Sequence, residues 1–142
     1  MKTIKLLTIA LVALVCAAPA MAGGFGVGAQ VYDGDFGAQV RTDFAMGGDI
    51  GALTGQAGIV FAADEVFVLD ADWHYYFNKG ASRFYALVGP SLAFNSDFSE
   101  FGINAGAGLN FNMTDTKKAF AEAKFVLISD FDGLVATVGL FF

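Results

Sequence analysis

The sequence contains one group of residues with obvious chemical potential, centred on its only histidine. Asp70, Asp72 and His74 alternate along one stretch, and such residues can bind a metal ion or act in acid–base catalysis. On a β-strand they would share a face at spacings of roughly 7 Å, too far apart to hold one ion without ligands from other strands. No serine accompanies His74 at a spacing typical of a nucleophilic site. The sequence therefore predicts a histidine held by carboxylates, with no catalytic residue, cofactor or dedicated metal site.

The elements that carry these residues are predicted to be β-strands. Side-chain character alternates with a period of two over eight stretches, 24–32, 36–44, 53–61, 66–77, 83–94, 100–111, 119–128 and 133–142. Asp33-Gly34 is a strong two-residue hairpin signal that would pair Tyr32 with Asp35. Pro90 cannot donate to a strand ladder, so a bulge or a shortened strand is expected near it.

The first 22 residues form a separate segment. Lys2 and Lys5 precede an apolar run and a small-x-small site at Ala20-Met21-Ala22, which is typical of a cleaved secretory signal peptide. The remaining residues, 23–142, form one predicted domain. Without the two leader lysines, 6 basic residues face 14 acidic ones, a net charge of −8. This balance argues against nucleic acid as a partner.

Aromatic residues bracket the apolar face of the predicted strands. Pairs of phenylalanines lie eight to ten residues apart, and ten residues of a tilted strand span roughly 23 Å along a membrane normal. That distance is close to the height of the apolar band on a membrane-spanning barrel. The predicted boundary residues are Phe36, Phe44, Phe67, Phe77, Phe84, Phe94, Phe101 and Phe111.

The last predicted strand ends in Phe142, preceded by alternating apolar residues. This ending resembles the assembly signal of outer-membrane barrels. The segment 120–125, with its alternating charges, is similar to the penultimate strands of these barrels. The mature chain thus resembles the family of small outer-membrane β-barrel proteins. The resemblance implies an all-β, eight-stranded, antiparallel up-and-down transmembrane barrel, monomeric or weakly associated, in the outer membrane of a Gram-negative bacterium. It also implies contact with outer-membrane lipids and lipopolysaccharide, and with the barrel-assembly machinery through the C-terminal strand.

The face opposite the phenylalanines carries the charges and would line the barrel interior. An eight-stranded barrel is only wide enough inside for side chains, and unpaired charges there would be costly. An ion-paired plug is therefore favoured over a narrow passage. The predicted interior polar residues are Arg41, Asp43, Asp70, Asp72, His74, Arg83, Glu122 and Lys124.

The connections predicted to face outside are short and acidic. Residues 33–35, 62–65, 95–100 and 129–133 contain no Lys or Arg. Carboxylate oxygens suit Mg²⁺ and Ca²⁺, so Asp33, Asp35, Asp130 and Asp132 are candidate ligands for divalent cations. Asp also favours tight turns, and no connection has the ligand spacing of a dedicated Ca²⁺ site. Turn formation is the favoured interpretation.

Three functions fit these features. The first is a structural, non-enzymatic role in envelope integrity. The second is a narrow porin-like passage for small solutes or ions. The third is a soluble periplasmic binder similar to lipocalins, which would need large aromatic residues packed inward around an apolar cavity.

Overall fold

The computed structural model describes residues 24–44 and 50–142; the predicted signal peptide at 1–22 lies outside them. The described residues form eight antiparallel strands, each paired with its sequence neighbours, and β1 pairs with β8 to close the barrel. The all-β, eight-stranded antiparallel barrel predicted from the sequence is confirmed. The strands are β1 (Phe25–Tyr32), β2 (Asp35–Phe44), β3 (Gly51–Val60), β4 (Val66–Tyr76), β5 (Ser82–Phe94), β6 (Ser99–Asn112), β7 (Lys118–Leu127) and β8 (Gly133–Phe141).

The first hairpin turns at Asp33 and Gly34. Both residues have positive φ angles, 47° and 101°, as a tight hairpin that follows the strand twist requires. Tyr32 pairs with Asp35, as the sequence predicted. This turn lies at what we call the loop end, together with connections 61–65, 95–98 and 128–132. The start of β1, the end of β8 and connections 77–81 and 113–117 lie at the opposite terminal end.

Glycines on the inward face make room for large side chains from neighbouring strands. A Cβ atom added at Gly108 would meet the ring of Tyr85, and one added at Gly139 would meet the ring of Phe120. Both aromatic residues are almost completely buried. The alternation of glycine with bulky residues therefore lets large side chains pack inside the narrow barrel.

The prediction of a bulge or a shortened strand near Pro90 is wrong. Strand β5 runs unbroken from Ser82 to Phe94, and its register with β6 does not change at Pro90. On the other side, the ladder to β4 stops after the Asp70–Ser91 pair and resumes at Trp73–Val88 in the same register. Pro90 has no N–H to donate, so the strand loses pairing on one side without inserting a residue.

The loop end of the interior is filled by an apolar cluster. Its buried residues come from β1, β3, β4, β5, β7, β8 and the start of connection 128–132, and side chains of the loop-end connections pack onto it. The ring of Phe131 stacks on Tyr32 at 4.3 Å between centroids, and the Tyr32 hydroxyl donates to the Phe131 carbonyl oxygen at 2.6 Å. The cluster comprises Tyr32, Val60, Val66, Val68, Ala93, Val126, Ile128 and Val135, with Ala62, Phe98 and Phe131 packed against it.

The outer face of the barrel carries large apolar side chains. Phe36, Phe101 and Phe77 have 74%, 71% and 65% of their surface exposed. Among the residues that the structure describes, no helix has the length and apolar character needed to cross a membrane.

Candidate functional site

The centre of the interior is occupied by a buried ion pair between β2 and β7. Arg41 Nη2 lies 3.0 Å from Glu122 Oε1, and both side chains have 0% exposure. The second carboxylate oxygen of Glu122 accepts a hydrogen bond from the Tyr85 hydroxyl at 2.8 Å. The Arg41 guanidinium also lies 3.9 Å from the centroid of the Phe120 ring, a cation–π distance. Arg41 and Glu122 thus neutralise one another out of contact with water.

A second charged group surrounds Lys124. Its ammonium lies 2.6 Å from Asp70 Oδ2 and 3.1 Å from Asp72 Oδ2. Gln56 joins this group to the first, because it donates to Asp72 at 2.7 Å and accepts from Arg41 at 3.1 Å. Two cations and three carboxylates therefore form one network across the interior. Each charged side chain contacts at least one of opposite charge, which reduces the cost of burying it in a medium of low dielectric constant.

His74 lies at the edge of this network. Its ring stacks on Tyr85 at 4.3 Å between centroids. Its Nε2 atom is 3.8 Å from Glu122 Oε2, and its Nδ1 atom is 3.5 Å from the Thr54 hydroxyl, which donates to Asp43 at 2.7 Å. Lys124 pairs with Asp70 and Asp72, whereas the carboxylate beside His74 is that of Glu122. Within the described residues, no three His, Cys, Asp or Glu side chains are placed to share a metal ion.

The structure brings the predicted interior residues together, except that Arg83 lies at the terminal end. Its guanidinium is 3.8 Å from the centroid of the Tyr76 ring. There it borders a vestibule of about 190 Å³ that Asp43, Tyr76 and Lys118 also line. This vestibule opens at the terminal end, opposite the apolar cluster.

Several neutral members of the network were not singled out in the sequence. Gln56, Thr54, Tyr85 and Ser91 each donate to one of the carboxylates. All four fall on inward positions by the period-two rule, so strand parity was the signal that could have found them. The apolar cluster at the loop end was missed as well.

The eight phenylalanines predicted as membrane boundaries form two levels on the outer face. Phe36, Phe67, Phe94 and Phe101 lie towards the loop end, where the rings of Phe67 and Phe94 stack at 5.7 Å. The terminal end has Phe44, Phe77, Phe84 and Phe111. Phe142 follows β8 and is exposed, with its backbone N–H donating to the Phe25 carbonyl oxygen at 2.8 Å.

The acidic residues considered as candidate ligands for divalent cations lie in or beside the loop-end connections. The Asp33 N–H donates to the Leu134 carbonyl oxygen at 2.9 Å, which places the first hairpin beside connection 128–132 that holds Asp130 and Asp132. Asp35 begins β2. The Asp130 N–H donates to Glu100 at 3.0 Å, a contact within the protein. Cation binding by these residues stays the less favoured hypothesis, and turn formation the favoured interpretation.

The ion pair can be tested by neutralising one partner. Glu122→Gln leaves the Arg41 guanidinium buried beside an uncharged side chain, so we expect the free energy of unfolding to fall by about 3–5 kcal/mol. Glu65→Gln, on the exposed loop end, should change it by less than about 0.5 kcal/mol. Urea unfolding of the refolded protein, followed by Trp73 fluorescence, measures both.

The double variant Arg41→Met with Glu122→Gln is the internal control. Because it removes both charges, it should be more stable than Glu122→Gln alone. The comparison also needs the single variant Arg41→Met. If the loss of unfolding free energy in the double variant equals the sum of the losses in Arg41→Met and Glu122→Gln, the two side chains contribute independently and the paired network is contradicted.

The fold resembles several solved barrels. The N-terminal β-barrel domain of Pseudomonas aeruginosa OprF aligns with a TM-score of 0.70 and 19% identity, covering 85% of this chain and 97% of that one. Neisserial surface protein A aligns with a TM-score of 0.61 and 11% identity, covering 83% and 92%. The attachment invasion locus protein of Yersinia pestis, Ail, aligns with a TM-score of 0.54 and 15% identity, covering 83% of this chain and 92% of that one. No protein-family model and no curated protein matches the sequence. The fold of this chain is therefore that of the eight-stranded outer-membrane barrels.

Proposed function

We propose that this chain is a non-enzymatic protein that spans the outer membrane of a Gram-negative bacterium and contributes to envelope integrity. The observation that carries the proposal is the inverted distribution of side chains. Charged groups are buried in the interior, whereas large apolar groups such as Phe36 and Phe101 are exposed outside. Exposed apolar surface on this scale is unfavourable in water and favourable in hydrocarbon.

A structural role is favoured over a passage because two barriers lie in series along the interior. The network of Arg41, Glu122 and Lys124 fills the middle. The apolar cluster closes the loop end, with Phe98 and Phe131 packed over it. An ion crossing the interior would have to break paired charges and then enter a dry apolar region, and both steps are costly.

A lipocalin-like binder is less well supported. Large aromatic residues do point inward, but Phe120 packs against the Arg41 guanidinium and Tyr85 against His74 and Glu122. They pack against polar groups and do not line an apolar cavity. Two apolar depressions, of about 340 and 700 Å³, are lined mainly by outward-facing residues such as Val40, Ile59 and Ala123.

Two partners follow from this proposal. The outer face would contact outer-membrane lipids and lipopolysaccharide, with the two levels of phenylalanine at the membrane boundaries. The C-terminal strand, ending in the exposed Phe142, would be recognised by the barrel-assembly machinery. The interior offers neither partner a surface, so both contacts fall on the outside of the barrel.

Placement is tested by fractionating a Gram-negative host that expresses the whole chain. We expect the protein in the outer-membrane fraction, with different gel mobility before and after boiling because a closed barrel resists detergent unfolding. Recovery in the soluble periplasm without a heat-dependent shift would contradict the membrane proposal and favour the soluble binder.

Conductance in planar bilayers separates a plug from a passage. The wild-type barrel should be silent, because both barriers are present. Val60→Ser with Val126→Ser weakens the apolar cluster, and Arg41→Ala with Glu122→Ala removes the central ion pair. Each double variant should remain nearly silent, whereas their combination should conduct. Regular single-channel steps from the wild type would support the porin-like alternative.

The envelope role is tested in the organism that encodes the chain. Deleting the gene should increase entry of an apolar fluorescent dye, because the outer membrane loses a component that stabilises it. The wild-type gene and Glu65→Gln should both restore the barrier, whereas a chain lacking Phe142 should restore it poorly. Unchanged dye entry in the deletion strain would argue against this role.

A further inference from the structure

The two ends of the barrel differ in charge. In the described structure, the loop-end connections 33–34, 61–65, 95–98 and 128–132 contain acidic residues and no Lys or Arg. At the terminal end, Lys79 lies in connection 77–81, Lys117 in 113–117, and Lys118 begins β7. All three lysines are exposed. We call them the basic rim.

The basic rim is continuous because its two connections are neighbours. The Asn112 N–H donates to the Ala81 carbonyl oxygen at 2.8 Å, and Ser82 pairs with Phe111. Connections 77–81 and 113–117 therefore lie side by side. Asp115 is the acidic residue within them, so this sector has an excess of positive charge.

The basic rim also adjoins exposed apolar side chains. Phe77, Phe84, Met113 and Phe142 are all exposed beside it, and Lys117 Nζ lies 5.8 Å from the centroid of the Phe142 ring. The Lys117 ammonium group thus lies at the border of the apolar outer face. Aromatic and basic residues together at such a border are typical of a membrane interface, where the rings meet acyl chains and the cations meet phosphates.

The connections predicted to face outside lie at the loop end, so the terminal end would face the periplasm. We propose that the basic rim binds the phosphate groups of anionic phospholipids in the inner leaflet of the outer membrane. This inference rests on the proposed membrane function. Each lysine near an anionic membrane surface contributes favourably, whereas the acidic loop end lacks such charges. An anionic cell-wall polymer is the other candidate, but the apolar border around the lysines fits a lipid better than a hydrated polysaccharide.

Trp73 provides a direct reporter of lipid binding. It is the only tryptophan and lies partly exposed on the outer face of β4, on the terminal side of that strand. The barrel is refolded into vesicles that mix phosphatidylcholine with phosphatidylglycerol, one of the two brominated in each series. Quenching of Trp73 then gives the relative binding constant of the two lipids.

For the wild type we expect phosphatidylglycerol to bind more tightly than phosphatidylcholine by about threefold or more at low salt, since several lysines contribute. Salt should reduce the preference. The variant Lys79→Gln, Lys117→Gln, Lys118→Gln should bind both lipids equally. A control adds Asp33→Asn, Asp64→Asn and Asp97→Asn to this variant, which restores the net charge; the preference should stay lost if the effect is local to the basic rim.

The outcomes distinguish this inference from the membrane proposal. No quenching by either brominated lipid and no heat-dependent gel shift would overturn the membrane proposal itself. Quenching with equal affinity for both lipids in the wild type would overturn only the lipid inference. Lysine-dependent sedimentation with peptidoglycan, without a lipid preference, would assign the basic rim to the cell-wall polymer instead.

Discussion

The structure depends on pairing charges inside a barrel that is too narrow to hydrate them freely. Arg41 and Glu122 belong to strands that are not neighbours in the barrel, so their contact links opposite parts of the wall through the interior. Lys124 extends the same network to β4 through Asp70 and Asp72. These side chains cannot turn outward, because the outer face is apolar. Leaving any one of these charges unpaired would be costly. A shift in strand register that separated the pairs would therefore be unfavourable.

The fold could be predicted closely because a closed barrel obeys local rules. Alternation with a period of two assigns each residue to a face, and the Asp33-Gly34 turn sets the first register. The strand ends differ from their predicted positions by two residues at most, as at β3, which begins at Gly51 instead of residue 53. There Gly51 pairs with Tyr75, and its missing side chain leaves space for the Trp73 ring.

The contacts of the network could be predicted only in part. Parity places Glu122 and Arg41 inside, but which interior side chains meet depends on the stagger of all eight strands, and no local sequence signal encodes it. The apolar cluster escaped notice for a similar reason. Val60, Val126 and Val135 come from three different strands, and they form one layer only after the barrel closes. Pro90 was misjudged because the ladder to β6 maintains the strand without help from β4.

Because the interior is filled, we expect a specific interaction at the outer surfaces of the barrel. Each charged side chain of the network contacts at least one side chain of opposite charge, and the loop end is closed by apolar packing. What distinguishes the two ends is their outward chemistry, with carboxylates on short turns at one end and lysines beside exposed aromatic rings at the other. Such a difference is unnecessary for closing a barrel, but it does distinguish the two directions in which the barrel could cross a membrane. The surface charges are therefore where a specific interaction with the envelope can arise, while the interior holds the strands that present them.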